Sequence, residues 1–176
     1  MTSVFGVAQT EPVEPIIVQR AEQPYVGRRE SITMTEFARV ADHLPGMFGD
    51  LTARGVAVAG PPFFRYRLID MSAELVVEAG IPVDGPVEVE EPTFTGVLPA
   101  GRYATVTHVG HPDELMAVTA RLLDWAQDQG LEWDMAPTLE GEMWGARLEV
   151  LMTNPAEEPD MHKWETALLF RLADLP

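Results

Sequence analysis

Hydrophobic positions recur with two periods along this chain, and the order in which those periods follow one another occurs twice. An apolar run from Ile16 to Glu22 precedes a stretch of helical spacing from Thr33 to Arg54, and two strand-like runs follow, Phe63 to Leu68 and Glu74 to Glu78. The second series opens with Tyr103 to Val109, continues through the helical stretch Pro112 to Gln129, and ends with Trp144 to Met152 and Trp164 to Leu172. Strand, helix, strand, strand is thus written over about residues 15–83 and again over about residues 101–172, with few identities in common. Two such units packed side by side leave a seam, and pockets favour seams.

Local signals place the elements. Thr33-Met34-Thr35-Glu36 has the form of a capping box, and Phe37, Val40, Ala41 and Leu44 follow at helical spacing. Pro45-Gly46 predicts a break or kink before Met47, Phe48 and Leu51 resume the stripe, and Gly55 predicts the end. In the second helix Pro112 suits a first turn, Asp113 and Glu114 suit its positive end, and Gly130 suits the C-terminal cap. Leu115, Val118, Leu122 and Ala126 form its apolar stripe. In the strand around Glu149, Ala146, Leu148, Val150 and Met152 share one face, and Arg147, Glu149 and Leu151 share the other. If the apolar face meets the helices, Glu149 points to the opposite side of the sheet. In the last strand Thr166, Leu168, Phe170 and Leu172 are expected on the helix face, with Glu165, Ala167, Leu169 and Arg171 facing away. Residues from Asp84 to Ala100 read as a crossover with at most one short strand, Thr93 to Leu98, and Asn154 to Met161 as an acidic hairpin loop.

Composition narrows the function. At 176 residues and 46% hydrophobic content the chain suits one domain, residues 14–176, behind a loose tail, residues 1–13. It has no cysteine, which excludes disulfides and thiolate chemistry and fits a cytoplasmic protein. No apolar run is long enough to span a membrane, and the first residues lack the features of a signal peptide. Twelve Lys and Arg against a net charge of −16 give no positive surface for nucleic acid. The three serines, Ser3, Ser31 and Ser72, lie outside any nucleophile-elbow pattern, and no glycine-rich phosphate loop is present. His43, His108, His111 and His162 have no metal-ligand spacing, so neither a metal nor a cofactor is expected.

What remains is aromatic and acidic. Tyr25, Phe63, Phe64, Tyr66, Trp133, Trp144 and Trp164 fall on strands or loops rather than in the helical stripes, with Glu78, Glu149 and Glu165 on strands beside them. An acid among aromatic walls suits a lipophilic cation, and desolvation there would also favour acid–base work. Trp and Tyr equally fill cores, and strand glutamates equally face water. Glu149 stands apart, because its neighbours place it on the groove side.

The run Leu98-Pro-Ala-Gly101-Arg-Tyr103-Ala-Thr-Val-Thr-His-Val-Gly110-His-Pro-Asp113-Glu-Leu115 resembles the hallmark of GyrI-like small-molecule-binding domains, the effector-binding domains of AraC-type and MerR-type regulators. Gly60-Pro61-Pro62-Phe63-Phe64-Arg65-Tyr66, Val77-Glu78-Ala79-Gly80-Ile81-Pro82-Val83 and Leu148-Glu149-Val150-Leu151-Met152-Thr153-Asn154-Pro155 add to the likeness, which covers about Pro15 to Leu172. The resemblance implies an α+β fold: a duplicated β-α-β-β unit with pseudo-two-fold symmetry, an antiparallel sheet with two helices on one face and a ligand groove on the other. It implies that Glu149 meets cationic, aromatic ligands, with Tyr66, Tyr103, Trp144 and Trp164 as further candidates for the lining. Two positions depart from the family pattern. Ala167 follows Thr166 where many members carry a glutamate, for which Glu165 is the nearest substitute, and Leu151 stands where some members carry an aromatic.

The leading expectation is a freestanding binding protein for lipophilic, often cationic or aromatic small molecules. With no DNA-binding segment ahead of the domain, a regulatory role would run through a partner chain. The alternative is a hydrolase of cyclopropane-bearing electrophiles with Glu149 positioning or activating water. The minor alternative is an acidic inhibitor of DNA gyrase.

Overall fold

The computed structural model describes residues 13–70 and 72–176, so most of the expected tail lies outside the described residues. Among the described residues ten strands and three α-helices follow in the order β1 (Ile16–Arg20), β2 (Gln23–Ile32), α1 (Phe37–Ala41), α2 (His43–Ala53), β3 (Phe63–Ile69), β4 (Leu75–Pro82), β5 (Phe94–Leu98), β6 (Gly101–Val109), α3 (Leu115–Asp128), β7 (Met135–Thr138), β8 (Gly141–Trp144), β9 (Arg147–Leu151) and β10 (Glu165–Arg171). All strand pairings are antiparallel, and the main order is β1-β6-β10-β9-β3-β4-β2-β5. Counted from either end, that order meets equivalent elements of the two halves, with the pseudo-symmetry axis between β9 and β3. The duplicated α+β unit expected from the sequence is present.

The halves exchange their outer strands. β1, expected to open the first unit, pairs with β6 of the second, whereas the strand beside β4 is β2. In return β5 of the crossover pairs with β2. β1 and β2 lie far apart in the strand order, yet two residues join them, and β5 and β6 are joined as tightly. Such a link spans at most about 11 Å. The sheet is therefore curled, with its two ends close together.

Curling gives the sheet two buried faces. Inside the curl, Tyr25, Phe63, Leu98, Tyr103, Ala146, Leu148, Ala167 and Leu169 form one core. Gly80 and Gly96 belong to it by lacking a side chain: a Cβ there would run into the rings of Phe63 and Tyr25. On the other face Val40 of α1 and Val118 and Leu122 of α3 pack on Phe64, Tyr66, Val77, Leu168 and Phe170, and α2 covers Val26, Ile81 and Val83 with Met47 and Leu51. Burying a side chain such as Leu122, Leu168 or Phe170 contributes about 2 kcal/mol.

The helices follow local chemistry. α3 is preceded by a 3-10 turn over Pro112–Glu114, where the His111 side chain accepts from the Asp113 N–H, and Gly130 beyond its end has φ of +69°. Val118, Leu122 and Ala126 are its buried stripe. The first helical region divides at Asp42, three residues earlier than Pro45-Gly46 suggested. Pro45 then occupies the first turn of α2, where its missing N–H leaves no bond unmade. Only half of the capping box forms: the Glu36 carboxylate accepts from the Thr33 N–H at 2.9 Å, and α1 begins after it at Phe37.

Candidate functional site

The centre of the sheet decides where Glu149 points. β9 pairs with β10 so that Glu149 stands opposite Leu168, and with β3 so that it stands opposite Phe64. Residues directly opposite in an antiparallel pair share a face. Leu168 and Phe64 pack under the helices, so Glu149 lies on the helix-bearing face and not, as the alternation suggested, on the face away from the helices. Leu148 and Ala146 face the interior of the curl. The expectation fails because both faces of β9 are apolar surroundings, so an apolar set did not mark the helix side. The assignment for β10 holds, with Leu168, Phe170 and Leu172 beneath the helices.

β3 brings the partner. The Tyr66 hydroxyl donates to Glu149 Oε1 at 2.8 Å. A bulge at Arg67 follows Tyr66, so that Leu68 and Ile69 resume pairing with β4 one residue out of step. Phe37 of α1 closes on the Tyr66 ring at 6.1 Å between centroids. Glu149 keeps some solvent exposure, but burial among these groups pushes its carboxyl above the usual range, against the lowering effects of Tyr66 and the nearby Arg147 charge. Burial likewise lifts the Tyr66 hydroxyl well above its ordinary value, and the Glu149 charge adds to that.

Arg147 completes the arrangement. It precedes Glu149 by two residues on the same face and stands opposite Phe170. Its guanidinium lies 4.5 Å from the Phe170 ring centre, 4.8 Å from that of Trp144 and 5.8 Å from that of Tyr66. Trp144 and Phe170 pack edge to face at 5.6 Å, and Trp133 lies within 6 Å of both. Among the described residues Arg147 makes no ion pair, and burial pushes its pKa down, opposed by Tyr66, Glu149 and Glu142. Beside Trp144 a cleft of about 530 Å³ opens between the end of α3 and the β7–β8 hairpin, lined by Leu131, Trp133, Met135 and Glu142. A smaller hollow of about 270 Å³ under α2 shares no residue with this site.

Residues 13–141 match the GyrI-like small molecule binding domain. The chain belongs to that family. Its fold is similar to that of the EcmrR C-terminal domain, with a TM-score of 0.73, 17% identity, and coverage of 92% of this chain and 98% of that one. Against the EcmrR chain of an EcmrR–DNA complex the TM-score is 0.74 at 17% identity, with 92% of this chain covered; the match spans 58% of that longer chain. The fold is also similar to that of SAV2435 bound to tetraphenylphosphonium, with a TM-score of 0.56, 10% identity, and coverage of 92% and 94%. A hydrolase encoded by lin2189 from Listeria innocua gives 0.62, 11%, 93% and 94%. At these identities the likeness concerns the fold. No curated protein sequence matches the chain.

Within this GyrI-like domain the expected site residues divide. Glu149, Tyr66 and Trp144 come together on the helix-bearing face. Tyr103 lies inside the curl, where its hydroxyl donates to the Pro99 carbonyl at 2.6 Å. Glu165 begins β10 exposed, with the strand parity of Ala167 and Leu169, and so cannot serve as a second carboxylate beside Glu149. The Trp164 indole donates to the Glu158 carbonyl at 2.8 Å and fixes the acidic hairpin loop.

Sequence reasoning missed Arg147 as a site residue, although alternation put it on Glu149's face. It also missed what surrounds Glu78. That carboxylate is fully buried and accepts from the Tyr25 hydroxyl and, at 3.1 and 2.7 Å, from Arg29 Nε and Nη2. Arg65 donates to the Tyr25 oxygen at 3.0 Å and to the Gly145 carbonyl at 2.7 Å. His43 pairs with Glu30 at 2.8 Å, His108 Nε2 lies 3.0 Å from a Glu114 oxygen without forming a hydrogen bond, and His111 lies 3.5 Å from Asp113. No group of three metal-ligating side chains occurs among the described residues, and none of their helices is long and apolar enough to cross a membrane.

Proposed function

We propose that this GyrI-like domain binds a lipophilic, aromatic small molecule carrying positive charge, with Glu149 as the counter-charge and Tyr66 and Trp144 as walls. The observation that supports this reading most is the under-coordinated state of Glu149. One tyrosine hydroxyl is its hydrogen-bond partner among the described residues, and its environment disfavours the bare charge. A cation placed beside it would relieve both conditions, and the adjoining aromatic faces suit a cation with a delocalised or aryl-substituted charge. SAV2435, whose fold is similar, is bound to tetraphenylphosphonium in its structure, which makes that cation a sensible probe.

The test is equilibrium titration of the purified domain with tetraphenylphosphonium and with triphenylphosphine oxide, a neutral compound of similar aryl bulk. Glu149→Gln should weaken the cation by about tenfold or more, as expected for loss of a desolvated charge pair, and leave the neutral compound within about twofold. Equal weakening of both would sink the charge-pairing role.

A second reading draws on the same carboxylate. Tyr66 engages Glu149 Oε1, which leaves Oε2 for a water, and raised basicity suits proton abstraction. Hydrolysis of a cyclopropane-bearing electrophile would then appear as a product in mass spectra and vanish in Glu149→Gln without loss of substrate binding.

A further inference from the structure

The rings that would receive a cation beside Glu149 already hold one. Phe170, Trp144 and Tyr66 surround the Arg147 guanidinium at 4.5, 4.8 and 5.8 Å. We propose that Arg147 is the resident cation of this site and sets its selectivity: a ligand of positive charge binds only by displacing the guanidinium from its aromatic seat. The proposal rests on Glu149 being the counter-charge of the ligand.

The seat follows from the strand pairing. Register sets Arg147 opposite Phe170 on the helix-bearing face, two residues before Glu149, and Trp144 closes the same side from the end of β8. A guanidinium is flat and weakly hydrated and stacks well on aromatic faces. No ion pair competes for it among the described residues. Tyr66 is the shared wall: its hydroxyl binds Glu149 and its ring faces Arg147. A second positive charge brought against Tyr66 would therefore meet a like charge at close range in partly desolvated surroundings, where repulsion is poorly screened. Arg147 itself is only half-buried, so its guanidinium has a route to solvent. When only the fraction of molecules with an empty seat is competent, the apparent dissociation constant rises by the inverse of that fraction. A neutral aryl compound that uses the same rings must also clear the guanidinium but meets no like charge, so its affinity depends less steeply on Arg147.

The experiment uses the full chain, labelled with nitrogen-15 at arginine, with tetraphenylphosphonium and triphenylphosphine oxide as probes. In the free protein the Arg147 Nε–H resonance, assigned by its loss in Arg147→Lys, should be shifted upfield by the rings, and saturation with the cation should return it towards the solvent position. Arg147→Leu should bind the cation about tenfold or more tightly than wild type and should tighten the neutral compound by a clearly smaller factor. Arg147→Lys keeps the charge, stacks less well, and should fall between the two. Melting curves confirm that each variant is folded, and a variant that fails this check leaves the decision to the wild-type resonance. An Arg147 resonance unmoved at saturation, or a folded Arg147→Leu that binds the cation no tighter, would overturn the proposal. If Glu149→Gln still weakens the cation in that case, the Glu149 reading stands and the displacement idea alone fails. If the cation binds neither wild type nor Arg147→Leu, the Glu149 reading falls and takes this one with it.

Discussion

Glu78 and Glu149 are both strand glutamates, each bonded to a tyrosine hydroxyl, yet they lie on opposite faces of the curled sheet and are differently provided for. Glu78 has Tyr25 on one oxygen, two nitrogens of Arg29 on the other, and Arg67 Nε at 4.0 Å. Glu149 has Tyr66 alone, with the nearest guanidinium turned onto aromatic rings. A buried carboxylate whose lone pairs are filled from within the chain is part of the architecture. One with capacity to spare is disposed to bind something else, or to take up a proton. The fold thus holds one closed and one open acid within a single sheet, and the distinction between them is made by which arginine each one reaches.

Substitution at Glu78 should give the largest effect. Glu78→Ala strips the partner from Arg29, Arg67 and the Tyr25 hydroxyl together, and removing one member of such a buried network costs about 3 kcal/mol. Arg29 is half exposed and regains solvent, which holds the cost below the upper end seen for wholly buried pairs. Urea unfolding at pH 7 measures it. A loss no greater than that of Glu149→Ala would erase the contrast between the two acids.

The two tyrosines offer a gentler version of the same comparison. Tyr25→Phe leaves both the Glu78 oxygen and Arg65 Nη1 short of a partner in the interior, and should cost about 2 kcal/mol. Tyr66→Phe removes one hydrogen bond to an acid that retains solvent access, and should cost about 1 kcal/mol or less. Paired denaturation curves give the order, and a reversal would mean that Glu149 is the more tightly built of the two.

How far the sequence could reveal this depended on whether the deciding partner was local. α3 was legible throughout because Pro112, the Val118-Leu122-Ala126 stripe and Gly130 all act within the helix or at its ends. β2 was not. Pro24, Gly27 and the charged run Arg28-Arg29-Glu30 give no clear strand alternation, and their partners, Glu78 across from Arg29 and His43 and Arg39 beside Glu30, come from elsewhere in the chain. Strand parity separates Glu149 from Leu148 and Val150, but the face it occupies depends on a curl that gives the sheet two apolar sides, and no local pattern encodes that. The same holds for Arg147, whose meaning lies in Phe170, Trp144 and Tyr66, contributed by three other strands.

The smallest effect is also the most diagnostic, because its sign separates an open acid from a closed one. The folded protein raises the pKa of Glu149 above the usual 4.5, so folding favours the protonated carboxyl. Well below that usual value the group is protonated in both states and its stabilising contribution is complete. As pH rises, the unfolded chain ionises first and the folded chain must follow at higher pH, so stability is lost through the folded pKa. Glutamine imitates the protonated acid and still accepts from Tyr66. Glu149→Gln should therefore approach wild-type stability as pH falls below that usual value and should melt higher than wild type at pH 7, a difference that paired thermal melts at the two pH values read. The same ionisation should make tetraphenylphosphonium bind wild type more tightly as pH rises through that range, and should leave its binding to Glu149→Gln flat. A melting difference that instead favours wild type at pH 7 would mean that the Arg147 charge, although turned onto the rings, already satisfies Glu149. Both acids would then be closed, and the helix-bearing face would have no counter-charge to offer a ligand.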